Sequence, residues 1–461
     1  MNTTHGSAVQ GKFYLTILLS TVMLLAPAFI NGYPTLNPDD NTYLLSGFLF
    51  ETPFDRPIAY GILLRLLSGN GGSLWLAVAV QGWCVAWLVI KLMVLANGNK
   101  LRPSYCLVAV LLLSLCTSLS WISSQLIPDV FTPIAGMCLA LILFGRERQA
   151  NLVVLYVLFT VAICTHLSHV VIFTLLLLAL LLLRRFFFTY DRLLKCRRAL
   201  LALLLAGVSI ATMGSALSKS KHVFAIGAML EQGILKPYLD EHCPTENYKL
   251  CAYKDSLPKD ANIFLWDEQA SPLYKTGGWA ANKADYSAIF NGSITERKYI
   301  LLHLQASVVS TARQALSFHI GDGVIPFTEG TTINATVRKY LPPDVRAFTL
   351  ARQQQGRLIP YLTLPNVIID ATVAVSAVFL LIAGVFYRRR MSAALKGVLS
   401  VLLLLILINV WDCATFAQVN GRYGCRVMWI IPFCAAIVAV QWRSYLRIER
   451  TSSDNIYTDL K

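Results

Sequence analysis

Long apolar runs constrain the fold of this chain more than any other feature of its sequence. A helix needs about 20 apolar residues to cross a bilayer. Ten segments have this character: residues 13–31, 73–96, 105–122, 129–144, 152–166, 169–183, 199–217, 366–387, 397–417 and 427–442. Only 14% of the residues are charged, against roughly a quarter in a soluble protein. The sequence therefore predicts an all-α polytopic membrane protein with about 10 transmembrane helices.

The first apolar segment has a second interpretation. Lys12 precedes it, and Ala26-Pro27-Ala28 resembles a signal-peptidase cleavage site. A signal peptide is therefore the alternative to a first transmembrane helix, and it leaves the rest of the predicted topology unchanged.

The basic residues predict how the chain is oriented in the membrane. The net charge is +15, and Lys or Arg occurs in each of the loops 97–104, 145–151, 184–198 and 388–396 and in the tail 443–461. Because short cytoplasmic loops are enriched in Lys and Arg, both termini are expected in the cytoplasm. A basic stripe on a soluble face is missing, which argues against nucleic acid as a partner.

This topology divides the chain into four parts. We expect an N-terminal module of seven helices over 1–217, an extracytoplasmic domain over 218–365, a C-terminal module of three helices over 366–442 and a cytoplasmic tail over 443–461. The first module includes a long acidic outer loop, 32–72.

The inserted domain has a mixed pattern. Residues 261–267 (ANIFLWD) are typical of a short strand, whereas 298–320 has the periodicity of an amphipathic helix, so a mixed α/β domain is predicted. Cys243 and Cys251 lie eight positions apart and could form a local disulfide in an oxidising compartment.

The first outer loop carries the most suggestive polar residues. Asp39 and Asp40 are adjacent, Asp55 is followed by Arg56, and residues 58–68 predict an amphipathic helix. A carboxylate at the membrane surface can take a proton from a hydroxyl group or hold a metal ion. The alternative is that the acidic pair caps a helix or forms a turn, since Asp favours both positions.

Five further residues are candidates for substrate binding. Asp129 either caps the apolar run that follows it or belongs to the same site. His166 and His169 are three residues apart, a spacing that places both rings near one face of a helix. They could share a phosphate, a metal ion or a carboxylate, or be ordinary hydrogen-bonded interfacial histidines. Arg422 and Arg426 suit bidentate phosphate binding, or they extend to lipid headgroups.

No motif demands a cofactor. Nucleotide-binding loops, a GxSxG motif and Cys/His spacings of zinc sites do not occur in a credible context. A divalent cation, Mg²⁺ or Mn²⁺, remains open as a partner of the acidic pair.

The many spans, the acidic pair in the first outer loop and the amphipathic helix after it resemble the GT-C superfamily of integral membrane glycosyltransferases. The segments DRPIAYG and RYGCRVMWIIP resemble the ends of an uncharacterised bacterial group of this type, which implies a bacterial inner membrane protein. That superfamily uses polyprenyl-phosphate sugars. The resemblance implies a GT-C-like fold, Asp39 or Asp40 as catalytic base, and Arg422 or Arg426 on the lipid phosphate with help from Arg56 or the histidines. It also implies inverting transfer to a lipid, glycan or protein acceptor. The chain departs from the pattern in placing its large outer domain between the seventh and eighth helices.

Two other functional classes are consistent with the same residues. A transporter or flippase of a lipid-linked or anionic substrate predicts inverted repeats and broken helices near mid-membrane. An O-antigen polymerase or ligase predicts that arginines of the large outer loop matter more than the acidic pair.

Overall fold

The chain folds into α-helices joined by short loops and 3-10 turns. A computed structural model describes residues 3–98, 102–183, 190–212 and 216–458. These residues contain no β-strand, and an isolated bridge joins Thr35 to Gln125. The all-helical prediction is confirmed for this part of the chain.

The helices of the first half follow the predicted apolar runs, with two short helices added in the first outer loop. They are α1 (Thr3–Leu24), α2 (Ala26–Asn31), α3 (Asp40–Leu49), α4 (Ala59–Leu67), α5 (Leu74–Ala96), α6 (Pro103–Cys116), α7 (Leu119–Ser123), α8 (Phe131–Phe144), α9 (Gln149–Cys164), α10 (Leu167–Leu182) and α11 (Tyr190–Thr212). A 3-10 turn, Pro128–Val130, precedes α8. Part of the predicted basic loop 184–198, residues 184–189, lies outside the described residues.

The second half contains the outer segment and the last apolar helices. Its helices are α12 (Ala216–Glu231), α13 (Leu235–His242), α14 (Ala261–Trp266), α15 (Pro272–Lys275), α16 (Gly278–Ala281), α17 (Lys283–Ser293), α18 (Arg297–Leu316), α19 (Thr332–Tyr340), α20 (Val345–Leu350), α21 (Thr363–Phe386), α22 (Ala393–Phe416), α23 (Gly421–Met428) and α24 (Ile430–Thr458).

Four stretches of the described residues are long and apolar enough to cross a membrane: Leu74–Ala96, Ile359–Phe386, Ala393–Phe416 and Gly421–Tyr445. They support an integral membrane protein, but the predicted count of ten spans is not supported. Helices α6 and α9, for example, have 14 and 16 residues. At about 1.5 Å per residue such helices are shorter than the roughly 30 Å hydrocarbon core.

The predicted α/β character of the outer segment is wrong. The expected strand at 261–267 is helix α14, which begins after Asp260, whose carboxylate accepts the backbone N–H of Asn262 at 2.6 Å. Ala261, Phe264 and Leu265 are buried, and this spacing suits a helix. From the sequence alone, so short an apolar run does not distinguish a helix from a strand. The long helix predicted over 298–320 is α18.

The outer segment has two kinds of packing. Residues between 223 and 299 bury their own apolar cluster around side chains such as Tyr238 and Phe264, and Cys243 and Cys251 form a disulfide beside it. Residues 318–362 instead pack onto the cluster that the apolar helices share. This second part therefore lies directly against the first outer loop.

Helices α3 and α4 of the first outer loop are packed at van der Waals contact through two glycines. A methyl group at Gly47 would lie 2.1 Å from the carbonyl oxygen of Gly61, which no real side chain tolerates. The close approach fixes α3, and with it the two acids at its start, against the amphipathic helix predicted from the sequence.

Hydrogen bonds from the outer segment hold the two ends of this loop. The buried carboxylate of Asp344 accepts the hydroxyl of Tyr33 at 2.8 Å, the hydroxyl of Ser73 at 2.8 Å and the N–H of Leu74 at 2.7 Å. Charged acceptors make the stronger hydrogen bonds of a protein. Asp344 thus ties the start of the loop to the start of α5.

Candidate functional site

A row of alternating acidic and basic side chains forms the candidate site. In the first outer loop, Asp55 contacts Arg56 at 2.6 Å, and Arg56 reaches one oxygen of Asp39 at 3.2 Å. The other oxygen of Asp39 contacts Arg422, from α23, at 2.9 Å. Asp39 therefore lies between two guanidinium groups that are more than 360 positions apart in the chain.

The row continues inward from Arg422. Its Nε lies 3.5 Å from one oxygen of Asp129, and the other oxygen of Asp129 contacts Arg426 at 2.7 Å. Asp129 comes from the 3-10 turn before α8. Three separate parts of the chain thus supply three acids and three arginines, whose formal charges cancel.

The row is graded in accessibility. The side chains of Asp39, Arg422 and Arg56 are 27%, 18% and 11% exposed, whereas Asp129 and Arg426 are 4% and 0% exposed. Asp39 is therefore the acid of this row that an incoming molecule reaches, with a guanidinium on either side.

Local backbone geometry aims Arg422 at the site. Helix α23 begins after Asn420, whose side-chain oxygen accepts the Arg422 N–H at 2.8 Å, as an N-cap residue does. Asp322, from the outer segment, accepts the same N–H at 3.2 Å. The helix start is thereby held by both neighbouring segments.

The two adjacent acids of the sequence have different environments. Asp40 is fully buried, and its carboxylate accepts the backbone N–H of Asn37 at 2.6 Å, which closes the turn before α3. Its other oxygen is buried without a hydrogen-bond partner in the described chain. Asp39 is the N-cap residue of α3 but makes no side-chain capping bond. The turn alternative therefore describes Asp40, and Asp39 alone faces the arginines.

The pKa values of Asp39 and Asp40 are shifted in opposite directions. Burial alone would raise the pKa of Asp39, but the guanidiniums of Arg56 and Arg422 hold it well below the usual range for a carboxyl group. Burial raises the pKa of Asp40, against the lowering effect of the Asn37 N–H bond. The carboxylate of Asp39 is ionised at neutral pH, whereas the environment of Asp40 favours its neutral form.

Arg426, expected beside Arg422 as a phosphate ligand, has its donors occupied within the protein. Besides Asp129, its guanidinium donates to the side-chain oxygen of Asn409 at 2.9 Å and to Cys413 Sγ at 3.0 Å. A fully buried arginine with these partners holds helices together. Arg422 is the residue of this pair that faces the accessible end of the row.

The two histidines lie next to each other but not on one helix, which corrects the sequence interpretation. Helix α9 ends at Cys164, and His166 is the N-cap of α10, with its Nδ1 accepting the N–H of Ser168 at 3.2 Å. The rings of His166 and His169 are 5.4 Å apart. The turn at Thr165 therefore sets their relation.

Only one of these histidines is available to a ligand. His169 is buried between the carbonyl of Ala162 and the hydroxyl of Thr132, each at 2.7 Å. His166 is half-buried, and its Nδ1 accepts the N–H of Ser168. Part of its ring is therefore accessible to a ligand.

Several residues of the site were not identified from the sequence. Asn37 contributes a side-chain oxygen 3.4 Å from Arg422, and the ring of Tyr43 lies 5.0 Å from the guanidinium carbon of Arg56. The ring of Tyr423 lies between the two arginines of its helix, 5.2 Å and 5.4 Å from their guanidinium carbons. No local sequence pattern indicates the contact of Asn37 with Arg422, because the two residues are 385 positions apart.

The donor set does not suit a divalent cation. A cation needs several oxygen or nitrogen ligands that converge without competing positive charge. Within the described ranges no three His, Cys, Asp or Glu side chains gather in this way. The exposed carboxylate instead has a guanidinium at each oxygen, so we derive no step through a metal.

Comparison with known proteins adds no family assignment: no family model, curated protein or solved structure matches the chain. Two partly exposed guanidiniums are chemically suited to an anionic group such as a phosphate, and a carboxylate between them can accept a proton once they are drawn to another anion.

Proposed function

We propose that this protein is a GT-C-type membrane glycosyltransferase. It moves a sugar from a polyprenyl-phosphate donor to a lipid, glycan or protein acceptor on the extracytoplasmic side of a bacterial inner membrane. In this proposal both termini are cytoplasmic and the apolar helices besides the four long ones are also embedded, which gives the ten spans of the sequence interpretation.

The observation that carries the proposal is the position of Asp39 between Arg56 and Arg422. A lipid phosphate and a carboxylate are alternative partners for the same guanidiniums, because arginine forms bidentate pairs with both. A phosphate that enters beside Asp39 therefore competes for its arginines. The electrostatic lowering of the Asp39 pKa is then relieved, and the carboxylate becomes a stronger base.

The reaction follows from this exchange. The acceptor hydroxyl oxygen attacks the anomeric carbon and forms the new glycosidic bond, while the bond from that carbon to the phosphate oxygen breaks. The electron pair leaves with polyprenyl phosphate, whose negative charge Arg56 and Arg422 stabilise. Asp39 takes the hydroxyl proton, and attack opposite the leaving group inverts the anomeric centre.

His166 has a supporting role in this mechanism. A neutral imidazole at the edge of the site can donate its Nε2 proton to a sugar hydroxyl or a phosphate oxygen, since Nδ1 accepts from the backbone. His169 and Asp129 act through their neighbours by fixing the turn and the arginines.

Transfer of labelled sugar from polyprenyl-phosphate carriers to a membrane extract tests the proposal. Purified wild-type protein is compared with Asp39→Asn, Asp40→Asn and Asp370→Asn, with and without Mg²⁺ or Mn²⁺. Asp370 pairs with His319 on an exposed surface and is the matched control. We expect loss of transfer in Asp39→Asn and wild-type transfer in Asp370→Asn; transfer retained in Asp39→Asn refutes the base.

Donor binding is measured separately from turnover. Undecaprenyl phosphate should raise the melting temperature of the wild type and have a much smaller effect on Arg422→Gln. If wild-type protein neither transfers sugar from any carrier nor responds to undecaprenyl phosphate, glycosyl transfer is the wrong function. Movement of a labelled lipid carrier across proteoliposomes would then support the transporter class.

A further inference from the structure

Helix α18 (Arg297–Leu316) exposes an apolar stripe that the rest of the chain leaves uncovered. Leu301, Leu304, Val308 and Leu316 are between 57% and 80% exposed. At 100° per residue these positions fall within about a third of the helix circumference. They extend over 16 residues, about 22 Å along the axis.

The opposite face of α18 is polar and buried. Ser307, Ser310 and Gln314 are each at most 9% exposed. The Ser307 hydroxyl is 2.8 Å from the hydroxyl of Thr415 and accepts the indole N–H of Trp411 at 3.1 Å. Both partners belong to α22, one of the four helices long enough to span a membrane.

This arrangement is the reverse of that in a water-soluble helix, which buries its apolar stripe and exposes its polar face. A helix in contact with lipid has the opposite requirement: its polar groups must find partners within the protein, and its apolar groups face the acyl chains. The serine face of α18 meets that requirement against α22.

The surroundings of the stripe favour a lipid surface over a protein partner. On α22, the neighbouring Leu407 and Phe416 are 60% and 51% exposed, so the stripe extends an apolar surface that belongs to a membrane-spanning helix. Arg297 and Lys298 are exposed at one end of α18, where long basic side chains reach lipid headgroups.

We propose that α18 is a membrane-embedded helix of the outer segment, with its apolar stripe among lipid acyl chains. The segment between the seventh and eighth predicted spans is then anchored in the bilayer rather than free in solution. This proposal concerns a different surface from the charged row and does not depend on the catalysed reaction.

Helix α18 also contacts the residue that caps the start of α23, the helix that carries Arg422. Gln314 of α18 donates to the carbonyl oxygen of Asn420 at 2.8 Å and accepts the Asn420 N–H at the same distance. Asn420 caps α23, which carries Arg422. The bilayer that holds α18 therefore also positions the start of the helix that aims Arg422 at Asp39.

Photocrosslinking in native membranes tests the proposal. The photoreactive amino acid p-benzoylphenylalanine is introduced separately at Leu304, Val308 and Leu316, and adducts are identified by intact-mass analysis after irradiation. Val385, 70% exposed on the long helix α21, is the lipid-facing control. Glu329, whose side chain is 84% exposed, is the water-facing control.

We expect lipid adducts at the three stripe positions in yields close to that at Val385 and about tenfold or more above that at Glu329. Yields at the Glu329 level overturn the proposal, because the stripe then faces water. Protein adducts in place of lipid adducts also overturn it, and they would identify the stripe as a docking surface. Three exposed positions keep the test decisive if one variant expresses poorly.

Discussion

Replacing Arg426 distinguishes the roles of the two arginines that the sequence predicts as phosphate ligands. In the structure Arg426 is fully buried and pairs with Asp129, whereas Arg422 is partly exposed beside Asp39. Arg426→Gln should therefore destabilise the fold. Arg422→Gln should impair donor binding with a smaller loss of stability.

The size of the effect follows from the contacts. Removing one partner of a buried ion pair destabilises a protein by about 3–5 kcal/mol, because the remaining charge is left uncompensated. Asp129 retains Arg422 at 3.5 Å, so part of its charge stays compensated. We expect a loss near the lower end, about 3 kcal/mol of unfolding free energy.

Denaturant titration of the detergent-solubilised protein, followed by far-UV circular dichroism, measures this loss. Arg338→Gln is the matched control, because its pair with Glu329 is exposed and such pairs contribute about 0–1 kcal/mol. In the double variant Asp129→Asn, Arg426→Gln, the loss should be smaller than the sum of the single losses by about 0.5–3 kcal/mol.

Two results would refute this reasoning. Wild-type stability of Arg426→Gln would mean that the buried pair does not support the fold. A stable Arg426→Gln protein that no longer responds to undecaprenyl phosphate would make Arg426 a ligand-binding residue, and the division of roles between the two arginines would be wrong.

Two further perturbations test the scaffold. Gly47→Ala should lower stability by about 1–3 kcal/mol through overpacking against Gly61, whereas Gly384→Ala, with open space around it, should not; equal melting curves for the two variants would contradict the close helix contact. Asp344→Ala should lower stability by about 3 kcal/mol, since it removes the acceptor of two buried donors and of the partly buried Ser73 hydroxyl, and Asp344→Asn should lose less; denaturant titration measures both.

Apolar periodicity predicted most helices, because burial in lipid or in a protein core imposes the same pattern on the sequence. It did not predict how many of them are long enough to span a membrane. Helix α8, with 14 buried residues, is as apolar as a span, yet it is surrounded by other helices. Composition alone does not distinguish a short core helix from a membrane-crossing one.

The short run at 261–267 shows a second limit of sequence patterns. Its helix is decided by the capping carboxylate of Asp260 and by the packing of Phe264, and neither is apparent from residue composition. Similarly, the histidine pair was expected on one helix because its three-residue spacing fits one. The break at Thr165 depends on contacts with α8 that a local pattern does not contain.

The candidate site was predicted as a set of residues but not as an arrangement. Charged residues at membrane boundaries are rare enough that Asp39, Asp129, Arg422 and Arg426 could each be singled out. Their pairing depends on contacts across almost 400 positions, between the first outer loop and the start of α23. No local pattern indicates that Arg426 would be buried and paired within the protein while Arg422 stays partly exposed.

The different roles of Asp39 and Asp40 follow from where α3 begins. Successive residues at a helix start point about 100° apart, so one carboxylate of an adjacent pair turns into the protein when the other faces out. Asp40 turns inward to the N–H of Asn37, and the contact between Gly47 and Gly61 holds α3 in that rotation. Asp39 must then face outward, where Arg56 and Arg422 keep it ionised. An adjacent acidic pair therefore supplies one buried structural carboxylate and one that faces the arginines, and the packing of α3 on α4 decides which is which.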